Sequence, residues 1–125
     1  MDWTEAERAE LEQALGRHPV ESGRCAAVAR VVVRMGRARD PGSSGRQVRP
    51  RDGSAARFVV PRQRLARRWG SHTYGKSHGH AVDALTGATG CEASRYLHDH
   101  WQFVGFLDVV DVDVELVDPG IEEQQ

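Results

Sequence analysis

Cysteine, histidine and carboxylate are the residue types from which a thiol nucleophile, its base and the group orienting that base are assembled. The chain has two cysteines, Cys25 and Cys91, and six histidines; His72, His78 and His80 fall with Asp83 in the single stretch GSHTYGKSHGHAVDALTG. Hairpin geometry decides which histidine can work with Asp83. His78–Gly79 fits a two-residue turn with glycine at the second, positive-φ position. That register sets Ser77 opposite His80, Tyr74 opposite Asp83 and His72 opposite Leu85. His72 and Asp83 then share a face as diagonal neighbours, about 7 Å or less apart at Cβ, close enough for an imidazole–carboxylate hydrogen bond. His80 stands three residues from Asp83 on the same strand and points to the other face. His72 is therefore the candidate base and Asp83 its orienting carboxylate.

The nucleophile for such a pair would be Cys25. A helix beginning near Ser22 as N-cap and running through CAAVARVVVRM to Gly36 places Cys25 about its third residue. There the unpaired backbone N–H groups and the positive end of the helix dipole favour thiolate over thiol. A free cysteine is also a common small core filler, beside Ala26 and Ala29 here. The glycine and the polar loop ESGR just upstream leave the helix start open and favour the nucleophile. Cys91 follows TGATG at the start of another expected helix, has nothing nearby to pair with, and reads as structural.

Those residues need a scaffold. Thr4 and Glu7 fit a capping box, and Trp3, Ala6, Leu11, Ala14 and Leu15 recur on one face of a helix that Gly16 can stop. The Val31–Val33 end of the second helix is equally compatible with a strand. GRARDPGSSGRQVRPRDGSA reads as a long loop with a short strand at Gln47–Arg49, ARFVVP as a strand, and RQRLARRWG as a basic helical turn. SHTYGKS and HAVDAL make the hairpin strands. CEASRYLHDHW reads as a helix with Tyr96, Leu97 and Trp101 inward. The alternation of Val110, Val112, Val114 and Leu116 marks a strand with one buried face, and PGIEEQQ a frayed tail over residues 119–125. With 125 residues, this is one domain of α+β class: N-terminal helices, with a helix and loop over 1–21, packed on a mostly antiparallel β-sheet.

GRCAAVARVV followed by HTYGKSHGHAVDALTG resembles the compact papain-fold domains of bacterial toxins and stand-alone bacterial proteins, and is similar to NlpC-type and transglutaminase-like relatives. The shared pattern is Gly-x-Cys opening an Ala-rich helix, then a His, then an Asp followed by a Thr-Gly turn, over residues 20–105. The resemblance implies a papain-like fold and a Cys–His–Asp triad. Cys25 would be nucleophile, His72 general base and then acid, and Asp83 the residue fixing the imidazole tautomer. The implied activity is thiol-dependent acyl transfer on a protein, peptide or amide substrate: hydrolysis, deamidation or transamidation. Papain-type proteases carry a glutamine six residues before the cysteine and an aromatic residue after it. This chain has Pro19 and Ala26 there, which leaves the Cys25 backbone N–H as the oxyanion donor, with its partner unassigned.

Composition narrows the other classes. From Arg24 to Arg68 there are 13 arginines against Asp40 and Asp52, and from Asp83 onward 10 acidic residues against Arg95. Two oppositely charged halves of one small domain are expected to pair across its surface. The arginines are not interleaved with stacking aromatics, so no nucleic-acid partner is expected. The segments HGH and HDH lack the spacing of a zinc motif, and neither a metal nor another cofactor is expected. No stretch approaches the roughly 18 apolar residues of a membrane span. The opening MDWTEAERAELEQ is acidic without an apolar run, unlike a signal peptide, so the expected location is cytoplasmic, with delivery by a secretion system still compatible. The competing reading is a papain-like scaffold kept for binding a partner, with the acidic strand DVVDVDVELVD as a pairing edge. A zinc-binding protein stands behind both.

Overall fold

Thr4 opens the first helix, α1 (Glu5–Arg17), with both halves of the capping box in place. Its hydroxyl accepts the Glu7 N–H at 3.1 Å, and the Glu7 carboxylate accepts the Thr4 N–H at 2.8 Å. The computed structural model describes residues 2–63, 68–117 and 123–124 of the chain. Leu11 and Ala14 form the buried side of α1, Trp3 is buried just ahead of it, Ala6 is exposed, and the helix passes Gly16 to end at Arg17.

The second helix, α2 (Cys25–Gly36), buries Ala26, Val28, Ala29, Val32 and Val33. Its β-branched residues settle as helix. Valine loses roughly half a kcal/mol per residue in helix propensity, whereas full burial of each valine side chain contributes about 1.5–3 kcal/mol. Val28, Val32 and Val33 are each fully buried, so packing wins. The helix begins later than expected. Arg24, not Ser22, is the N-cap, and Ser22 closes a single 3-10 turn over Val20–Ser22. Gly23, at φ 70°, takes the left-handed conformation that separates the two.

The main sheet has five antiparallel strands, in the order β5-β4-β3-β1-β6. These are β1 (Ser44–Pro50), β3 (His72–Ser77), β4 (His80–Val82), β5 (Cys91–Glu92) and β6 (Leu107–Val112). A second pair joins β2 (Arg68–Trp69) to β7 (Glu123–Gln124). β1 extends well beyond Gln47–Arg49 and is an inner strand between β3 and β6. ARFVVP is not a strand; only Val59 and Pro61 make isolated bridges, to Trp69 and Trp101. Most of the expected basic turn, residues 64–67, lies outside the described residues, and Trp69 near its end is in β2. Cys91 and Glu92 form β5, and the third helix, α3 (Ala93–His100), starts only after them. Tyr96 and Trp101 point inward as expected, and Leu97 is half-buried. The last long strand stops at Val112. Val114 is buried beyond its end, but Leu116 is 84% exposed. Of the tail over 119–125, Glu123 and Gln124 pair as β7 and the rest lies outside the described residues.

The two faces of β3 divide the interior. Gly75 faces α2 so closely that a Cβ there would stand 2.5 Å from the Val32 Cγ1, and the missing side chain lets the helix sit directly on the strand. His72 and Tyr74 project to the opposite face, among Trp69, Tyr96 and Trp101. The charged halves do meet. Arg34 pairs with both carboxylate oxygens of Glu115 at 2.8 and 2.6 Å, and Arg46 lies 2.6 Å from Asp111. No helix among the described residues is long and apolar enough to cross a membrane.

Candidate active site

The β3–β4 turn has the geometry its sequence demands. His78 and Gly79 have φ of 52° and 74°, as a type I′ turn requires. Ser77 pairs with His80 and Gly75 with Val82, so the strands reach their open end in the expected register. There His72 Nε2 lies 2.8 Å from Asp83 Oδ2. Both residues are buried, at 2% and 1% exposure.

Asp83 stands just past the end of β4, at the head of a turn rather than inside a longer strand. Its Oδ1 accepts the N–H groups of Leu85 at 3.0 Å and Thr86 at 2.9 Å, while its own N–H donates to the Thr86 hydroxyl. That local turn fixes the carboxylate and leaves Oδ2 to His72 and to the hydroxyl of Tyr96. Burial alone would raise the Asp83 pKa. The hydrogen bond and charge of His72, the Tyr96 hydroxyl and the Thr86 N–H outweigh it and hold the pKa below its ordinary value. The same contact pushes Tyr96 well above the ordinary tyrosine range, through burial first and then the Asp83 charge.

An ionised carboxylate can only accept, so Nε2 carries the proton and Nδ1 is the basic nitrogen of neutral His72. Nδ1 is buried and makes no hydrogen bond among the described residues. The rings of Trp69 and Trp101 bracket the imidazole at centroid distances of 5.6 and 5.0 Å. This apolar enclosure shields the His72–Asp83 bond from competing water.

Cys25 is the first residue of α2, nearer the helix start than Ser22 capping would place it. No side chain caps this end. The Ser22 hydroxyl instead accepts the Arg24 N–H at 3.2 Å and donates to the Pro19 carbonyl at 2.7 Å, which ties down the approach to the helix. The Cys25 Sγ accepts a hydrogen bond from the backbone N–H of Thr73 at 3.4 Å. A donor on sulfur and the adjacent helix N-terminus both favour the thiolate. The fold thus joins His72 to Asp83 and brings Cys25 against the residue that follows His72.

The other candidates lie apart. His78 donates its backbone N–H to Asp40 at 2.7 Å, and His80 Nδ1 stands 3.0 Å from the His78 carbonyl. Cys91 Sγ is 3.9 Å from an Asp99 carboxylate oxygen, and burial, then that charge, pushes its thiol up. Among the described residues no three His, Cys, Asp or Glu side chains gather where they could hold a metal ion. Sequence reasoning placed Tyr96 and Trp101 inward but gave neither a role, and it missed Trp69. The spacing Asp83-x-x-Thr86 was the signal that could have found the carboxylate-anchoring turn, where HAVDAL reads as a strand. Compared with protein-family models, with curated proteins and with solved structures, the chain finds no match in any of the three.

Proposed function

We propose that this chain is a papain-like, thiol-dependent acyl-transfer enzyme acting on an amide of a peptide or protein. The observation that carries this reading is the state of His72. Its Nε2 is engaged by a buried carboxylate and its Nδ1 makes no hydrogen bond among the described residues, one residue from the backbone N–H on which the Cys25 sulfur rests.

In the proposed reaction His72 Nδ1 takes the Cys25 proton, giving thiolate and imidazolium. Asp83 stabilises that charge and holds the ring. The thiolate attacks the amide carbonyl, and the oxyanion meets the backbone N–H groups at the positive end of α2, that of Cys25 first. His72 returns the proton to the leaving amine, which frees a Cys25 thioester. Water or a second amine then resolves it, and that choice separates hydrolysis or deamidation from transamidation.

The test is alkylation of each cysteine by iodoacetamide against pH, read by mass spectrometry. Cys25 is expected to titrate below the roughly 8.5 of a free thiol, and His72→Ala is expected to return it toward that value. Titration near the free value in both proteins sinks the reading.

A further inference from the structure

A second cleft opens on the His72 face of the sheet, beyond the Tyr74–Tyr96 ring pair from Asp83. It is a cavity of about 460 Å³ lined by Arg46, Tyr74, Lys76, Ser94, Leu97 and Val109, among others. Its position follows from the register. Arg46 of β1 lies opposite Tyr74 of β3 on one side and Asp111 of β6 on the other, and Lys76 is the next residue along the same face as Tyr74.

The charged and phenolic side chains that line this cleft, Arg46, Lys76 and Tyr74, are all donors at neutral pH. Tyr74 is 4% exposed, its ring lies 4.2 Å from that of Tyr96, and its hydroxyl makes no hydrogen bond among the described residues. Burial pushes its pKa up to about 12, so the proton stays on the oxygen. Lys76 has no ion pair within 4 Å among the described residues, whereas Arg46 is partly neutralised by Asp111 at 2.6 Å. Ser94 is the second residue of α3, whose start has no side-chain cap; of its first N–H groups, that of Ala93 goes to the Gly79 carbonyl at 2.9 Å. The N–H of Ser94 belongs to the set without an intrahelical partner, at the positive end of the helix dipole. The carboxylates that act on its lining are Asp83, engaged by His72 and Tyr96 behind the ring pair, Asp111, held by Arg46, and Asp40, whose carboxylate accepts the His78 and Gly42 N–H groups.

A buried hydroxyl donor, an ammonium, a guanidinium and a helix start converging from different elements match a tetrahedral, acceptor-rich anion better than a planar carboxylate. Leu97 and Val109 add an apolar wall beside the donors. We propose that this cleft binds a small phosphate monoester, with the phosphate against Tyr74, Lys76, Arg46 and the start of α3, and the organic portion against Leu97 and Val109. The site stands independently of the thiol chemistry.

The test uses the whole chain, with inorganic phosphate and phenyl phosphate as probes followed by amide NMR. Both are expected to give saturable shifts at Ser94 and Lys76, with phenyl phosphate binding tighter because of the apolar wall. Tyr74→Phe keeps the stacked ring and removes only the hydroxyl, and Lys76→Ala removes the ammonium. A hydrogen bond to a charged group is worth about 1.5–3 kcal/mol, so each change is expected to weaken binding about tenfold or more. Unchanged affinity in either folded variant overturns the site, as do equal shifts from sodium chloride at matched ionic strength. Equal affinity for the two probes overturns the ester and leaves only the inorganic ion.

Discussion

Cys25 and Cys91 are both half-buried and both lie near a helix start, yet the groups around the two thiols differ. Cys25 is inside α2 as its first residue, with a backbone N–H donated to its sulfur. Cys91 lies two residues before α3, in a strand, beside the Asp99 carboxylate and the Glu92 carbonyl. Two residues of offset exchange a helix N-terminus and a backbone donor for a carboxylate neighbour. Proximity to a helix start is therefore a poor marker of a reactive thiol unless the neighbouring donors and carboxylates are counted as well.

The largest effects should come from the pair itself. At pH 6 Cys25 is expected to alkylate at least about tenfold faster than Cys91, because the proposed Cys25 thiolate has a backbone donor on its sulfur whereas burial and Asp99 push the Cys91 thiol up. Equal rates at that pH would erase the contrast. Cys25→Ser is expected to abolish any thioester-forming activity, whereas Cys91→Ser should leave it in place. Removing Asp83 should cost the fold next. Asp83→Ala strips a buried carboxylate from His72, Tyr96 and two backbone N–H groups, and a loss of about 3–5 kcal/mol in urea unfolding is expected.

Asp83 also sets an acid limit. Its folded pKa lies below the unfolded value of about 3.9, so its contribution to stability is complete above about pH 4. That contribution drains as pH falls through the folded pKa. Asp83→Asn should flatten this part of the stability profile, and an unchanged acid limb would mean the carboxylate is not held as the fold implies. A smaller loss of stability belongs to Tyr96→Phe, which removes one of several donors to Asp83; about 1.5–3 kcal/mol is expected. His80→Ala should leave the Cys25 titration unchanged, since its ring sits at the turn beside the His78 carbonyl.

How much of this was legible follows the range over which each signal acts. The Thr4–Glu7 box and the His78–Gly79 turn are decided by neighbours in sequence, and both elements are where local chemistry puts them. The hairpin register carries the chain as far as Val82, and the Asp83–Thr86 turn beyond it then sets the His72–Asp83 bond. β1 was nearly invisible because Ser44, Gly45, Arg46 and Gln47 have no strand preference of their own, and two flanking strands hold them in the ladder. FVV erred the other way: Val59 makes an isolated bridge to Trp69, and Pro61 just beyond it another to Trp101, in place of a ladder. The valine alternation after Leu107 ran past its strand because Asp113 turns the chain, its carboxylate accepting the Glu115 N–H at 2.9 Å. The tryptophans around His72 arrive from β2 and from the end of α3, and no pattern in one segment could announce that meeting.

Gly75 also gives the site a spelling. The helix can settle on the sheet only where a side chain is missing, so the residue that seats it, Val32, fixes how α2 is turned about its own axis. Cys25 precedes Val32 by seven residues and Gly75 follows His72 by three. One residue inserted between Cys25 and Val32 would swing the thiol about 100° around the helix axis, beyond what any adjustment of the strand could recover. A homologue could rewrite its loops, its charged surface and most of its core and still keep these two intervals together. Ancestry in such a lineage would be traced by paired spacings, one in the helix and one in the strand, rather than by overall identity.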